Sequence, residues 1–368
     1  MHIFKRIMIT LLIIIVILVL FVFFFMKGAQ FGVSPTGVSL ERILKSPNYK
    51  NGAFENTVAT PMIVTSGKHP SIFKRLFFDK NSPVDVIPSA KTDLKNLDPK
   101  VDALVWFGHS SYFMQIDGKK FLVDPVLSGS ASPFSFIIKA FKGADIYKPE
   151  DMPAIDYLII THDHWDHLDY KTVSKIKDRV KNVITPLGVG DNFIYWGFDK
   201  NIVKETDWGD ETKFPDGVTI NTTETHHFGG RIPGRKSLWV SYVLTTPSMK
   251  IYIGGDSGYG PHFKSIGEKF GPFDLAILEN GQYNESWQYI HMMPGQNLQA
   301  SKDLKALRML PVHNSKFVLS VHNWREPLEK IVELNKEAGV SLVTPMIGEE
   351  VNLKDSTQKF TNWWEVIK

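Results

Sequence analysis

Residues 161–167 read THDHWDH, which puts His162, His164, Asp166 and His167, side chains that ligate metal ions, within six positions. A zinc-binding helix of the HExxH kind spaces its histidines four apart, whereas these stand at 162, 164 and 167, so a helix does not account for them. In extended chain, alternate side chains share a face. His162 and His164 therefore close on one ion as a strand ends, while Asp166 and His167 turn toward a second point. One loop feeds two neighbouring metals. Trp165 and Asp163 within it are read as packing and loop solvation. The chain contains no cysteine, so zinc here would be held by histidine and carboxylate alone.

Other strand ends supply the remaining candidates. TINTTETHHFGGR carries His226 and His227, KIYIGGDSGYG carries Asp256, and MLPVHNSKF carries His313. A carboxylate has two oxygens and bridges two cations, which suits Asp256, while neutral imidazoles fill terminal positions. Asp124, at the end of KKFLVDP, is either a carboxylate that fixes a ligand histidine or the Asp of an Asp-Pro turn. His109 in GHSS is either a residue lining the cleft or a hydrogen-bonded core residue, and the core role is the preferred reading.

These residues need strands to carry them, and β-rich runs recur from residue 101 onward: VDALVWFG, YFMQI, KKFLVDP, DYLIIT, VTINTTE, SLWVSYVLTT, KIYIGGD, DLAILEN and MLPVH. Leu168, Val173, Ile176 and Val180 follow a helical period, as do Leu328, Ile331, Val332 and Asn335 behind Pro327. Interleaved strands and helices predict an α/β or α+β body whose sheets are covered by helices. Ahead of it, residues 7–26 form twenty positions without a charge, enough to span a hydrocarbon core of about 30 Å. A cleaved signal peptide is the alternative, but the run is long for one and KGAQFG offers no small-x-small cleavage site. Lys5 and Arg6 precede the span and Lys27 follows it, which places the body outside the cytoplasm by the positive-inside rule. The expected division is a membrane anchor over 1–28, an extended juxtamembrane segment over 29–100, a catalytic domain over 101–355 and a C-terminal tail over 356–368. A formal charge of +3 with no long basic run argues against a nucleic-acid partner.

The order THDHWDHLD, HFGGR, GGDSGYG and LPVH resembles the metallo-β-lactamase superfold of binuclear zinc hydrolases. WFGHSSYFMQIDGKKFLVDPVLS, SLWVSYVL, GDSGYGPHFKSIGEKFGPFDLAILENGQY and HMMP further resemble its branch of N-acylphosphatidylethanolamine-hydrolysing phospholipase D and L-ascorbate-6-phosphate lactonase. The resemblance covers roughly residues 100–350 and implies a four-layer αββα sandwich. It implies two zinc ions, one held by His162, His164 and His227, the other by Asp166, His167 and His313, with Asp256 between them. His227 rather than His226 follows from the family's pattern at HFGGR, and His291 in HMMP matches a histidine near the leaving group. Asp256, Asp166 and His291 are the expected catalytic residues. His226, HNSKF and ENGQYNESW depart from the family's usual residues in loops that shape the substrate pocket.

Two zinc ions sharing a water lower its pKa from about 15.7 toward about 7, and the resulting hydroxide attacks a phosphodiester or a lactone. The membrane anchor favours a lipid, hence cleavage of N-acylphosphatidylethanolamine to phosphatidic acid and an N-acylethanolamine. A lactonase or other small-molecule hydrolase is the alternative, and an inactive membrane-tethered metal-binding protein is the reading of a different class. The oligomeric state is left open.

Overall fold

The central strands bury both faces. Leu104 and Trp106 enter one core while Val105 and Phe107 enter another. Tyr157 and Ile159 separate from Leu158 and Ile160 in the same way, as do Ile251 and Ile253 from Tyr252. This is the two-residue alternation of extended chain covered on both sides, and it explains why runs such as ALVWF have no polar face.

The computed structural model describes residues 2–64, 81–231 and 237–368. It begins with helices α1 (His2–Phe25) and α2 (Gly37–Lys45), followed by a small hairpin of β1 (Tyr49–Lys50) and β2 (Ala53–Phe54). The first large sheet holds β3 (Ala103–Trp106), β4 (Tyr112–Ile116), β5 (Lys119–Val123), β6 (Ile155–Ile159), β7 (Val180–Pro186) and β8 (Val203–Thr206) side by side. The second holds β9 (Glu211–Lys213), β10 (Thr219–Thr223), β11 (Ser241–Thr245), β12 (Lys250–Ile253), β13 (Leu275–Glu279) and β14 (Met309–Val312). A last strand, β15 (Glu350–Asn352), returns to the first sheet and pairs antiparallel with β3.

Helices α3 (Tyr170–Ile176) and α4 (Gly190–Tyr195) cover the first sheet, packing Val173, Ile176 and Phe193 on Val105, Phe113, Leu122 and Leu158. Helices α5 (His262–Phe270), α6 (Gln296–Asp303) and α7 (Glu326–Ala338) cover the second, setting Phe263, Ile266, Leu298 and Ile331 on Val243, Tyr252, Ala276 and Leu278. The sheets face each other across a core that includes Trp106, Met114, Tyr242, Leu244 and Ile277. The result is the αββα sandwich. Because β5 to β8 and β12 to β14 pair in parallel, the carboxyl ends of each set lie together on one rim.

Packing departs from the expected divisions at three places. The segment over 29–100 is not simply extended: α2 and the hairpin form in it, and Ile43, Phe54 and Ile87 belong to the inter-sheet core. The period in GVSLERILK buries Ser39 and Ile43 while Arg42 donates to the Glu205 carbonyl at 2.7 Å. Residues 65–80 of that segment, with His69, lie outside the described residues. The tail over 356–368 is anchored by Trp363, Trp364 and Ile367, all in the same core. The helix expected to reach Val180 ends at Ile176, and Val180 opens β7. At the N-terminus, Ile3–Phe25 is a 23-residue helix of mean hydropathy 3.6 with none of its most apolar stretch buried, long and apolar enough to cross a membrane.

Candidate metal centre

Strand ends on the common rim deliver the side chains. β5 is followed directly by Asp124, β6 leads through Thr161 into the His162–His167 loop, β10 precedes His227, β12 precedes Asp256, and β14 runs into His313. Two of these positions lie in the left-handed region of backbone space, Asp124 at φ 42° and His313 at 66°, and so does nearby His109 at 54°. Such backbone costs about 1–3 kcal/mol per residue and persists only where its surroundings fix it. Asp256 is delivered through Gly255, whose φ is +60° and where a Cβ would stand 2.9 Å from that of Thr161. No other residue fits there.

Hydrogen bonds assign the imidazole protons. His227 Nδ1 lies 2.9 Å from the Ile290 carbonyl, which only accepts, so Nδ1 carries the proton and Nε2 a lone pair. Thr161 gives its hydroxyl proton to Asp124 at 2.6 Å and so accepts from His162 Nδ1 at 3.1 Å, which again leaves Nε2 bare. Both bare nitrogens face His164 Nδ1, at 3.0 Å from His162 and 3.2 Å from His227. One proton on His164 could satisfy only one of them. Burial holds His162 and His227 well below the usual histidine range and lowers His164 as well, so all three are neutral.

A second group adjoins this one. Nδ1 of His167 donates to Asp124 at 2.9 Å, turning Nε2 toward Asp256 Oδ2 at 3.2 Å and Asp166 Oδ2 at 3.6 Å. His313 Nδ1 stands 3.2 Å from the other oxygen of Asp256 and 2.9 Å from the Ser110 hydroxyl. Asp256 also lies 3.8 Å from both His162 Nε2 and His227 Nε2, so one carboxylate reaches both groups. Burial alone would lower His167, but Asp256 and Asp166 outweigh it and raise its pKa well above the ordinary value. Asp256 and Asp166 are likewise pulled down against their burial, chiefly by His167.

A cation fits this donor set on three counts. Asp124, Asp166 and Asp256 are buried, and among the described residues only histidines pair with them, whereas a buried carboxylate normally requires a compensating charge. His167 Nε2 and Asp256 Oδ1 are buried without a hydrogen bond of acceptable geometry. Ligand atoms of His162, His164 and His227 lie within 4.8 Å of one another, and so do those of His109, Asp166, His167 and His313.

The other expected positions divide. His226 turns away from the cluster, with Nε2 3.0 Å from Glu224 and its ring against His262. Consecutive residues in extended chain face opposite sides, so only one of His226 and His227 reaches the rim. Asp124 accepts three hydrogen bonds, two from Thr161 and one from His167. His109 is fully buried and its Nε2 lies 2.9 Å from Asp166 Oδ2, which ties it to the cluster more closely than a core role requires. His291 lines the cavity above the cluster, its Nδ1 2.7 Å from Glu279 Oε2. Glu279 was not singled out in the sequence; its only signal is a carboxylate closing the apolar run LAILE. Burial pushes Glu279 up to about 7, and Glu279 in turn raises His291 despite the burial of that ring.

The cavity is about 360 Å³. His164, Asp166, His227, Asp256 and His313 line it together with the apolar Met62, Ile63, Phe228, Trp287, Ile290 and Leu319. Residues 56–64 reach this mouth because Asn56 donates to the His227 carbonyl and Val64 N–H to that of Ser286.

A model of the β-lactamase superfamily domain matches residues 119–314, more than half of the chain. The chain belongs to the β-lactamase superfamily. An uncharacterized protein of Mycobacterium tuberculosis is 32% identical to this superfamily member over 330 residues, 88% of each chain. The N-acyl-phosphatidylethanolamine-hydrolyzing phospholipase D 1 of Caenorhabditis elegans is 30% identical over 248 residues, 62% of this chain and 68% of that protein. Among solved structures, Igni18, a metallo hydrolase from the archaeon Ignicoccus hospitalis KIN4/I, superimposes with a TM-score of 0.54. That match covers 68% of this chain and 98% of Igni18 at 20% identity, and is a likeness of fold.

Proposed function

We propose that this superfamily member is a metal-dependent hydrolase that cleaves the phosphodiester of N-acylphosphatidylethanolamine, releasing phosphatidic acid and an N-acylethanolamine. One observation carries the reading: a histidine–carboxylate cluster fit for two cations and a group of apolar side chains line the same cavity. A charged headgroup and an acyl chain need both kinds of lining.

His162, His164 and His227 would hold one cation and Asp166, His167 and His313 the other, with Asp256 shared. When bound, such ions supply Lewis acidity toward a phosphoryl oxygen and make water more acidic. The chain's own groups do the rest. Asp124 fixes the tautomer of His167, and Ile290 that of His227. With Nδ1 on Glu279, His291 keeps Nε2 for the cavity and offers a proton to the leaving alcohol oxygen. Met62, Ile63, Trp287 and Leu319 exclude water beside the headgroup and seat acyl chain. Ile3–Phe25 would serve as the membrane anchor, with the body outside the cytoplasm.

The test is to incubate full-length protein in vesicles with N-acylphosphatidylethanolamine and, separately, with a panel of lactones, with and without chelator. Equimolar phosphatidic acid and N-acylethanolamine, abolished by chelation and restored by zinc, is the expected result. Lactone turnover without diester cleavage would overturn the lipid reading, and undiminished turnover after complete metal removal would overturn the hydrolase mechanism.

A further inference from the structure

The last turn of α1 is fastened to the catalytic body by aromatic rings. Phe25 stacks on Phe134 with centroids 4.4 Å apart and planes 9° apart, and meets Phe31 edge-on at 5.2 Å. Phe31 in turn meets Trp165 edge-on at 5.3 Å, and Trp165 stands between His164 and Asp166. Arg231 covers the far face of this junction, its guanidinium 4.2 Å from the Trp165 ring and its Nη1 donating to the Gln30 carbonyl. Beside them, Trp196 Nε1 donates to the Ala29 carbonyl.

Phe25 belongs to the apolar span, so whatever stacks on it shares its depth. A spanning helix places its final turn at the boundary between acyl chains and headgroups. The loop that supplies Phe134 continues as Ser135, Phe136, Ile137 and Ile138, and Phe136 is 69% exposed, its ring 5.6 Å from that of Phe134. On the other flank, at the end of α4 and next to Trp196, Ile194 and Tyr195 are exposed as well. Apolar and aromatic side chains thus border the foot of the helix where an interfacial aromatic belt would lie.

We propose that the loop over residues 133–138, led by Phe136 and flanked by Ile194 and Tyr195, inserts into the lipid interface. The rigid ring contacts from Phe25 to Trp165 then hold the metal-ligand loop at a fixed height over the bilayer. The proposal rests on α1 spanning the membrane, and its occupant is the lipid of the same leaflet. A second copy of the chain covering these side chains is the competing outcome.

Because the chain has no cysteine, single cysteines report position cleanly. Phe136→Cys, Leu18→Cys in the helix and Glu337→Cys on α7, which covers the other sheet, are labelled with an environment-sensitive fluorophore. Each full-length protein is reconstituted into phosphatidylcholine vesicles with and without spin-labelled lipid. The expected result is a blue shift and loss of emission in spin-labelled lipid at 18 and 136, with no change at 337. Loss at 18 but not at 136 overturns the loop proposal and leaves the anchor standing. Loss at 136 but not at 18 removes the anchor on which the proposal rests and overturns it, and loss at neither overturns both the loop and the anchor. A blue shift at 136 that spin-labelled lipid leaves intact assigns the surface to protein contact and overturns the proposal. As a second measure, Phe136→Asp should lower turnover on vesicles while leaving turnover of a soluble diester unchanged, and equal losses on both would count against it.

Discussion

Replacing Asp124 with Asn preserves volume and tests whether its carboxylate sets the metal affinity. Asp124 accepts from Thr161 N–H at 2.8 Å, from the Thr161 hydroxyl at 2.6 Å and from His167 Nδ1 at 2.9 Å. An amide has one oxygen where the carboxylate has two, so in either orientation its NH₂ meets a donor. If it meets His167, the imidazole must move its proton to Nε2, the nitrogen that faces Asp256. If it meets the Thr161 amide, a backbone donor is left unpaired in a buried site, at about 1–3 kcal/mol. Loss of such an outer partner typically weakens metal binding by about 10–100-fold, which corresponds to about 1.4–2.8 kcal/mol. Competition against a chromophoric zinc chelator near neutral pH measures this directly, and circular dichroism on the same sample confirms folding. The expected outcome is one equivalent weakened by about 10–100-fold and the other affected less. A folded variant that binds both equivalents with wild-type affinity would refute the argument that Asp124 acts through His167.

Asp256→Asn should lower metal content from two equivalents per chain and reduce diester turnover by more than about 100-fold while the fold persists; elemental analysis with turnover on a soluble diester checks both. Lys316 is buried, its Nζ donating to the Phe107 and Val126 carbonyls, and burial pushes its pKa down to about 8 from 10.5. Between those values the unfolded chain holds a proton that the folded chain has shed, so stability rises with pH across the window by about 3 kcal/mol. Denaturant unfolding of Lys316→Met at both ends of the window should show that rise abolished. A chain begun at Lys27 should keep its metals, because Ala29, Gln30 and Phe31 are tied to Trp196, Arg231 and Trp165; a chain begun after Phe31 should bind metal less tightly in the same chelator assay.

Much of this architecture was legible because its signals are local. The runs YFMQI and KKFLV are β4 and β5, and Pro327 opens α7 within one residue of the helix start. THDHWDH announced its chemistry because the density of ligand types is confined to one loop. What the sequence hid depends on partners far away. Ile43 and Trp364 look like residues of a linker and a tail, and only the inter-sheet core explains them. Val180 continues a helical period, yet parallel pairing with β6 claims it for a strand. Glu279 resembles any acidic residue at a strand end until His291, twelve positions on, closes against it. His109 is the buried, hydrogen-bonded residue expected, but its partner, Asp166, lies fifty-seven positions away.

The two indoles of Trp363 and Trp364 have a consequence for assembly. They complete the core between sheets, and β15 must return to pair with β3 across some 250 residues. Contacts of such sequence separation form late, since loop closure precedes any reward from burial. The apolar helix at residues 3–25 is made while this core is still open. Strand order then decides what is exposed in the interval: one edge of β3 stays unpaired until β15 has been made. A stop codon a few residues before Trp363 would leave a nearly complete sandwich without its closing wedge.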